Sequence, residues 1–355
     1  MNRVEELLRE RALPPVLPQD GPITATQWQR RRAELLGLLR REMFGASPDP
    51  AAVRVEELSR SDDAYAGKAT ALRWRLEWDT PGGAFSFPVD VILPQGEAVP
   101  VFVHISFLPQ ADSMLCPVEE LLDRGVGVAS FCYNDVTMDE DDGYATGLAA
   151  LHPELRGSDG WGKIAMWAYA ASRVLDALLT LPQVDSRRVA VAGHSRLGKT
   201  ALWCGANDAR FALVCSNESG CGGAAISRGK VGEDIARITA AFPHWFCGNY
   251  RAWANREAQA PFDQHFLLAA CAPRAVAVAS AIDDQWADPV SEFLCCAAAS
   301  PVWQALGLPG FAYGGGLPVP GDTLAGGNVR YHLRAGSHFF SRYDWGRFAD
   351  ALLSL

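Results

Sequence analysis

The 355-residue chain is 49% hydrophobic and has a formal net charge of -9. This hydrophobic content is sufficient for a sizeable core. The acidic balance disfavours nucleic acids and anionic membrane surfaces as partners, because both attract basic proteins. The apolar runs are shorter than the roughly 18 residues of a membrane-spanning helix, so we expect no membrane segment.

Nine cysteines, an odd number, are scattered along the sequence without a C-x-x-C pair. This usage is typical of reduced, buried thiols rather than of a disulfide framework or a zinc site. The first ten residues are charged and amphipathic, unlike a secretion signal. We therefore expect the chain as written to be cytoplasmic, and secreted or periplasmic if a native N-terminus has been trimmed. We also expect a monomer.

The first quarter of the chain contains predicted helices and then predicted edge strands. Residues 1–45 are predicted to form a helical extension packed on the core, with apolar residues at near-helical spacing over residues 29–44. The pattern then changes to an alternation of apolar and polar residues, which indicates strands. These strands, predicted over residues 53–55, 72–76 and 85–92, are expected to be antiparallel and to lie at a sheet edge.

Beyond residue 99, apolar strands alternate with helical stretches, which is typical of a parallel sheet. The predicted strands cover residues 99–107, 126–133, 189–192, 211–216, 275–282 and 329–333, and the predicted helices cover residues 118–123, 162–179 and 344–355. This order predicts an α/β-hydrolase fold: a mostly parallel central sheet, antiparallel N-terminal strands and helices on both faces. We assign residues 46–355 to a single domain, with an aromatic-rich insertion at about residues 222–262.

One stretch, V-A-V-A-G-H-S-R-L-G-K, runs from a predicted strand into a predicted helix at Ser195. Gly193 and Gly198 leave room around the serine, and a helix N-terminus offers N–H groups beside it. The spacing G-x-S-x-x-G is one residue longer than the usual G-x-S-x-G. The stretch predicts a nucleophile elbow, although such a turn is also common as ordinary packing.

A serine nucleophile needs a histidine to accept its proton and a carboxylate to orient that histidine. In an α/β-hydrolase the histidine follows the last strand. His338 has this position, whereas His332 falls within the strand, so His338 is the predicted base. Two places after strand ends offer a carboxylate: Glu218, and the adjacent Asp283 and Asp284. The residues alone leave this choice open.

The oxyanion formed during ester cleavage needs fixed donors. Arg196 directly follows Ser195, so both its backbone N–H and its guanidinium are candidates. Lys199 lies one helical turn further on and faces the same side as the serine, where it can meet a sugar hydroxyl or be solvated. The aromatic-rich insertion and the glycine- and proline-rich residues 307–327 are expected to lie over or beside this site.

The elbow G-H-S-R-L-G-K is similar to the G-C-S-R-x-G-K elbow of the glucuronoyl esterases, carbohydrate esterase family 15. His194 stands where many members have cysteine, a variation typical of bacterial members. The resemblance extends over roughly residues 10–350. Further similar stretches are GWG at 160–162, SNESG at 216–220, FPHWFC at 242–247, DQH at 263–265, APR at 272–274, WADP at 286–289 and YDW at 343–345.

The resemblance implies a serine esterase without metal or cofactor. Its implied substrates are glucuronate (4-O-methyl-glucuronoyl) esters of xylan-derived saccharides, as in lignin-carbohydrate esters. It favours Glu218 as the triad acid, with Asp284 as the alternative. The remaining positions, with the roles that the resemblance implies, are Ser195 (nucleophile), His338 (base), Arg196 (oxyanion arginine), and Lys199 and Trp286 (contacts to the uronic sugar).

Two other functions remain open at this point. An acetyl or feruloyl esterase of plant cell-wall saccharides would use the same fold, with the sugar as the alcohol of the ester. A catalytically silent protein that binds acidic oligosaccharides is the second, and the intact set of Ser195, Glu218 and His338 argues against it. Inside a cell, an enzyme of this family is expected to act on imported uronoyl oligosaccharide esters or simple alkyl glucuronates.

Overall fold

Ten strands form one continuous sheet in the computed structural model, which describes residues 2–355. In the plane of the sheet the strands follow the order β1-β2-β3-β5-β4-β6-β7-β8-β10-β9. The strands are β1 (Arg54–Asp63), β2 (Ala69–Thr80), β3 (Gly83–Pro94), β4 (Val99–Ser106), β5 (Gly127–Cys132), β6 (Val184–His194), β7 (Leu213–Asn217), β8 (Ala275–Ala281), β9 (Thr323–Leu324) and β10 (Val329–Arg334).

The pairing directions confirm the predicted fold class. The six strands β4, β5, β6, β7, β8 and β10 are parallel to their neighbours in the centre of the sheet. The first three strands are antiparallel to one another, and β3 joins the parallel part by an antiparallel pairing with β5. Because parallel strands share a direction, their carboxyl ends meet at one edge, where an α/β sheet places its site.

Helices cover both faces of the sheet. Along β6, Val189 and Val191 belong to the apolar cluster that includes the helices before and after this strand, whereas Ala190 and Ala192 belong to the cluster of the C-terminal helix. This alternation follows from the two-residue period of a strand. The main helices are Arg3–Arg11, Ala25–Leu39, Val118–Leu122, Lys163–Leu178, Arg196–Asn207, Ile235–Ala241, His265–Ala269, Pro289–Ala299, Pro301–Ala305 and Arg342–Leu353.

The N-terminal region contains more helix than the periodicity predicts. The helix expected over residues 29–44 begins at Ala25, after a capping box between Thr24 and Gln27. It ends as an α-helix at Leu39 and continues as a π-helical turn over Arg40–Phe44. An additional helix covers Arg3–Arg11. Because this earlier segment is mostly charged, its helical pattern is weak in the sequence.

Three further segments differ from the expectations. Strand β1 is exposed along its whole length and extends to Asp63, well beyond the predicted residues 53–55. The aromatic-rich insertion contains the helix Ile235–Ala241 and 3-10 turns at Gly248–Trp253 and Glu257–Gln259. Residues 307–327 pair with β10 and with the N-terminal helix, and contribute no residue to the described lining of the site cavity. This segment, expected over or beside the site, therefore does not line the cavity as described.

All nine cysteines are buried and have free thiols. Between residues 2 and 355, none of the helices has both the length and the apolar character needed to cross a bilayer.

Candidate active site

Ser195 occupies the tight turn between β6 and the helix Arg196–Asn207. Its backbone has φ 56° and ψ -124°, a strained conformation for a residue with a side chain, and one that holds a serine hydroxyl out of the turn. The turn is fixed by a hydrogen bond from the Ser195 N–H to the carbonyl of Asn217, at 2.8 Å. The predicted elbow therefore has the expected backbone geometry.

Close packing requires glycine at Gly193 and leaves little room for a side chain at Gly198. A Cβ atom at Gly193 would lie 2.1 Å from the carbonyl oxygen of Leu197, and one at Gly198 would lie 3.0 Å from that of Asn217. Both neighbours are backbone atoms, which cannot move aside cheaply. The longer spacing G-x-S-x-x-G thus matches the geometry of this turn, since its second glycine faces the adjacent strand end.

His338 lies in the loop after β10 and contacts both candidate acids through the same nitrogen. Its Nδ1 is 2.6 Å from Asp284 Oδ2 and 3.2 Å from Glu218 Oε2. Asp283, the neighbour of Asp284, is exposed. Both alternatives from the sequence are therefore present at one histidine, and the adjacent pair contributes only its second member.

The two carboxylates differ in their other partners. Glu218 Oε1 accepts a hydrogen bond from Arg334 at 2.5 Å, and its Oε2 accepts one from the Phe339 N–H at 3.0 Å. Arg334 thus compensates the charge of Glu218. Among residues 2–355, the partners of the Asp284 side chain are His338 and a backbone N–H, from Ala287 at 3.1 Å. Asp284 is consequently the carboxylate whose charge is free to stabilise an imidazolium.

The charges of this group shift the pKa of each member. Burial opposes the charged imidazole, but the hydrogen bonds and charges of Asp284 and Glu218 outweigh it and raise the pKa of His338 to about 9. Burial also raises the pKa of Glu218. For Asp284 the interaction with His338 exceeds the effect of burial, so its pKa is lowered. The ion pair between Asp284 and His338 is therefore the dominant one.

His194, immediately before Ser195, packs against His338, the predicted base. The two imidazole rings are 4.4 Å apart between centroids, and His194 Nδ1 is 2.5 Å from Asn217 Oδ1. Burial, reinforced by the nearby His338, lowers the pKa of His194 to about 3. It therefore stays neutral and supports the His338 ring without competing for the proton.

The guanidinium of Arg196, the residue after Ser195, forms an ion pair with Asp139, and Arg196 lines the same cavity as Ser195. It also lies over the Trp245 ring, 4.7 Å from the centroid, and 5.6 Å from each of the rings of Phe107 and Phe242. Its side chain is 27% exposed, so it is enclosed on several sides while still open to the cavity. Such a fixed, partly desolvated cation is suited to stabilise negative charge.

A cavity of about 280 Å³ joins these groups, lined by Ser195, Arg196, Lys199, Glu218, Ser219, Gly220, Glu233, Phe242, Trp245, Asp284, Trp286, Ala287 and His338. Lys199 is buried, and its Nζ donates to the Ser219 carbonyl at 2.6 Å and lies 3.9 Å from Glu233. Burial lowers the pKa of Lys199. Trp286 is 56% exposed and stands at the cavity mouth. All the site residues expected from the sequence thus border one space.

Glu218, Asp284 and His338 also form the kind of cluster that can hold a metal ion, with ligand atoms within 4.8 Å of one another. The 2.6 Å separation between Asp284 and the histidine nitrogen is the length of a charge-assisted hydrogen bond. Glu218 already accepts from Arg334 and from a backbone N–H. Hydrogen bonds within the protein therefore account for this cluster.

Comparison with known proteins agrees with this geometry. A family model described as "Glucuronyl esterase, fungi" matches residues 77–307. A carbohydrate esterase from an unknown prokaryotic organism is 34% identical, with 95% of this chain and 88% of that protein aligned. The chain belongs to the glucuronoyl esterase family. A glucuronoyl esterase structure from Solibacter usitatus has 36% identity and a TM-score of 0.86, covering 97% of both chains. The 4-O-methyl-glucuronoyl methylesterase of Cerrena unicolor is 30% identical to this esterase, and the alignment covers 82% of this esterase and 62% of that protein.

Several residues of the esterase's site were not predicted individually from the sequence. Glu233, Phe242 and Trp245 line the cavity, and Asp139 holds Arg196. Trp245 belongs to the aromatic-rich insertion, which was expected near the site, but the sequence pattern does not distinguish this cavity-lining ring from Tyr250, which is buried away from the described cavity lining. A single acidic residue such as Glu233 carries no spacing signal at all.

We expect the pH dependence of the esterase to follow from His338, the predicted base. The base must be neutral to accept a proton, and its raised pKa keeps it protonated to higher pH. We expect kcat/KM to fall on the acid side with an apparent pKa between the ordinary 6.5 and about 9. Asp284→Asn should move this pKa downward, whereas Asp283→Asn, an exposed neighbour, should leave it in place. A pH-rate profile of the three proteins measures this, and an unchanged profile for Asp284→Asn would contradict the assignment.

Proposed function

We propose that this esterase hydrolyses glucuronate esters, including 4-O-methyl-glucuronoyl esters of xylan-derived saccharides, with Ser195 as nucleophile and His338 as base. The observation that carries the proposal is the single cavity in which Ser195, Arg196 and His338 meet a buried lysine and a buried glutamate. The first three groups suit ester cleavage in general. The last two, Lys199 and Glu233, suit an acyl group that bears hydroxyls.

The proposed reaction has two steps through the same groups. The Ser195 hydroxyl attacks the ester carbonyl carbon, and its proton passes to His338 while the oxyanion faces Arg196. The carbon–oxygen bond to the alcohol then breaks, and the alcohol leaves with the proton from His338. Water attacks the resulting acyl-serine and gives a proton to His338. When the serine leaves it takes this proton, and the uronic acid is released.

The two acids have separate tasks in this proposal. Asp284 lies at the shorter distance and, within the described residues, has no cationic partner of its own. It stabilises the imidazolium of His338 and fixes its tautomer. Glu218, paired with Arg334, holds the loop through the Phe339 N–H and supports the same nitrogen from a second direction. Glu218, favoured by the family resemblance, is therefore proposed as the supporting acid.

The preference for a uronate follows from the cost of unpaired polar groups. In a glucuronate ester the sugar ring is on the acyl side, so its hydroxyls enter the cavity with the carbonyl. Lys199 can donate to a sugar oxygen, Glu233 can accept from hydroxyls, and the exposed ring of Trp286 offers a stacking face. An acyl group without hydroxyls would leave the lysine and the carboxylate without new partners in a desolvated site.

The matched test compares benzyl glucuronate with benzyl cyclohexanecarboxylate, which has the same alcohol and a ring of similar size without oxygen atoms. We expect kcat/KM to be at least about 10³-fold higher for the glucuronate, as for sites built to hydrogen-bond a substrate. The panel also contains 4-nitrophenyl acetate and 4-nitrophenyl ferulate. A higher kcat/KM for the acetate or the ferulate would indicate an acetyl or feruloyl esterase. If none of the four esters is cleaved, the result would support a catalytically silent binding protein.

A further inference from the structure

One buried carboxylate, Asp139, collects four side-chain donors at the edge of the site. Oδ2 pairs with the Arg196 guanidinium and accepts from Tyr133 at 3.2 Å, while Oδ1 accepts from His244 Nε2 at 2.8 Å and from Trp245 Nε1 at 2.6 Å. The side chain is 6% exposed. Because a buried carboxylate is costly unless paired, an arrangement with this many donors fixes the position of each of them.

The segment that carries Asp139 is itself anchored on both sides. Lys163, at the start of the helix Lys163–Leu178, is fully buried and donates to the carbonyls of Met138 at 2.6 Å and Glu140 at 2.7 Å. Its third hydrogen bond goes to Asp142, at 2.7 Å. The residues immediately before and after Asp139 are thus attached to one ammonium group, which leaves the carboxylate little freedom to move.

The same helix start also fixes the insertion that faces Arg196. The Lys163 N–H donates to the His244 carbonyl at 2.9 Å, and the next N–H in the helix donates to the Trp245 carbonyl at 3.2 Å. A Cβ atom at Gly162 would lie 2.3 Å from that Trp245 carbonyl, so the approach needs glycine. The Trp245 ring, the Asp139 carboxylate and the Arg196 guanidinium are therefore held against a common support.

We propose that Asp139 is a positioning residue for the oxyanion arginine, and that Lys163 anchors it from behind. This inference rests on the proposed role of Arg196 beside Ser195. One guanidinium nitrogen, Nη1, is committed to Asp139, and the aromatic rings cover the faces of the group. The edge turned toward the cavity then has one orientation relative to the serine. Preorganisation of this kind removes the reorganisation cost when charge develops on the substrate oxygen.

The charge of Asp139 persists over the working range of the enzyme. Burial opposes ionisation, but hydrogen bonds from His244 and Trp245 and the charge of Arg196 outweigh it and lower the pKa of Asp139 to about 2. The ion pair with Arg196 is therefore intact wherever the enzyme can act. Loss of this ion pair should therefore lower the rate by the same factor at all pH values, without introducing a further apparent pKa into the pH-rate profile.

The test is a double-mutant cycle with benzyl glucuronate as substrate. Asp139→Asn should lower kcat by about 10- to 100-fold, below the roughly 10²- to 10³-fold cost of losing an oxyanion donor entirely, with little change in KM. In an Arg196→Ala background, the same substitution should lower kcat no further. Asp141→Asn is the matched control, because Asp141 is an exposed carboxylate on the same loop. Melting temperatures of all variants report folding.

Chemical rescue supplies a readout that a merely structural role would not move. Millimolar guanidinium ion should restore part of the activity of Arg196→Ala, because Asp139 and the Trp245 ring form a site for it. The double variant Arg196→Ala/Asp139→Asn should show no rescue. Asp139→Glu keeps the negative charge but moves it by the length of one methylene group, so it should also lower kcat. This variant replaces Asp139→Asn in the test if Asp139→Asn folds poorly.

The outcomes separate this inference from the proposed function. Additive losses in the cycle, or rescue that is equal with and without Asp139, would overturn the positioning role. Ser195→Ala is measured alongside. If that variant is inactive while the losses are additive, only the role of Asp139 fails. If it retains glucuronate hydrolysis, the proposed function fails as well.

Discussion

The double variant Glu218→Gln/Asp284→Asn should lose about 10⁴-fold in kcat for benzyl glucuronate, the magnitude expected when a triad histidine has no acid. Each single variant should lose far less, about 10- to 100-fold, because the other carboxylate still contacts His338 Nδ1. The three activities are measured at one pH on proteins with matching melting temperatures. The key comparison is between the two single variants.

Asp284→Asn should have the larger effect of the two. Its carboxylate is closer to His338 and has no other cationic partner in the part of the chain that the structure describes, whereas Arg334 compensates Glu218. Glu218→Gln also keeps an oxygen that can accept from the Phe339 N–H, so the loop remains in place. Asp283→Asn controls for a lost charge at this strand end. A full loss from Glu218→Gln alone would reverse the assignment of the main acid.

Ser195→Ala should abolish hydrolysis, with a loss of at least about 10⁴-fold in kcat, as expected when a nucleophile is removed from a working triad. Alanine should be tolerated structurally, because it removes only the hydroxyl from a turn already fixed by the Asn217 carbonyl and by Gly193. KM should change little, since Lys199 and Glu233 are untouched.

The matched control for this variant is Ser337→Ala. Ser337 is exposed and directly precedes His338, so it tests whether any accessible serine near the base contributes. We expect its kcat to equal that of the wild type. Residual hydrolysis by Ser195→Ala at a rate close to that of the native enzyme would show that another nucleophile, or water activated by His338, carries out the reaction.

The parts of the fold and site that follow local rules were predictable from the sequence. The strand–turn–helix at Ser195 is a continuous segment with glycines at the required positions, and β10 ends just before the loop of His338. Five of the six parallel strands were located to within two residues of their observed ends, because each is a short apolar run bounded by polar residues. The exception is β6, which begins at Val184, five residues before its predicted start, because its first half contains Asp185, Ser186, Arg187 and Arg188.

The supporting residues of the site depend on contacts distant in sequence and could not be predicted. Asp139 meets Arg196 across 57 positions, and Glu218 and His338 are 120 positions apart, so no spacing rule links them. The choice between Glu218 and Asp284 stayed open because both follow strands that end at the same edge. Only the three-dimensional positions show that a single nitrogen contacts both.

The most direct test of the central claim is rapid acid quenching of the wild-type enzyme with benzyl glucuronate, followed by peptide mass spectrometry. We predict a glucuronoyl group on the peptide that contains Ser195, formed within one turnover and absent from Ser195→Ala. Hydrolysis without any acylated peptide, or with the acyl group on a residue other than Ser195, would contradict the account.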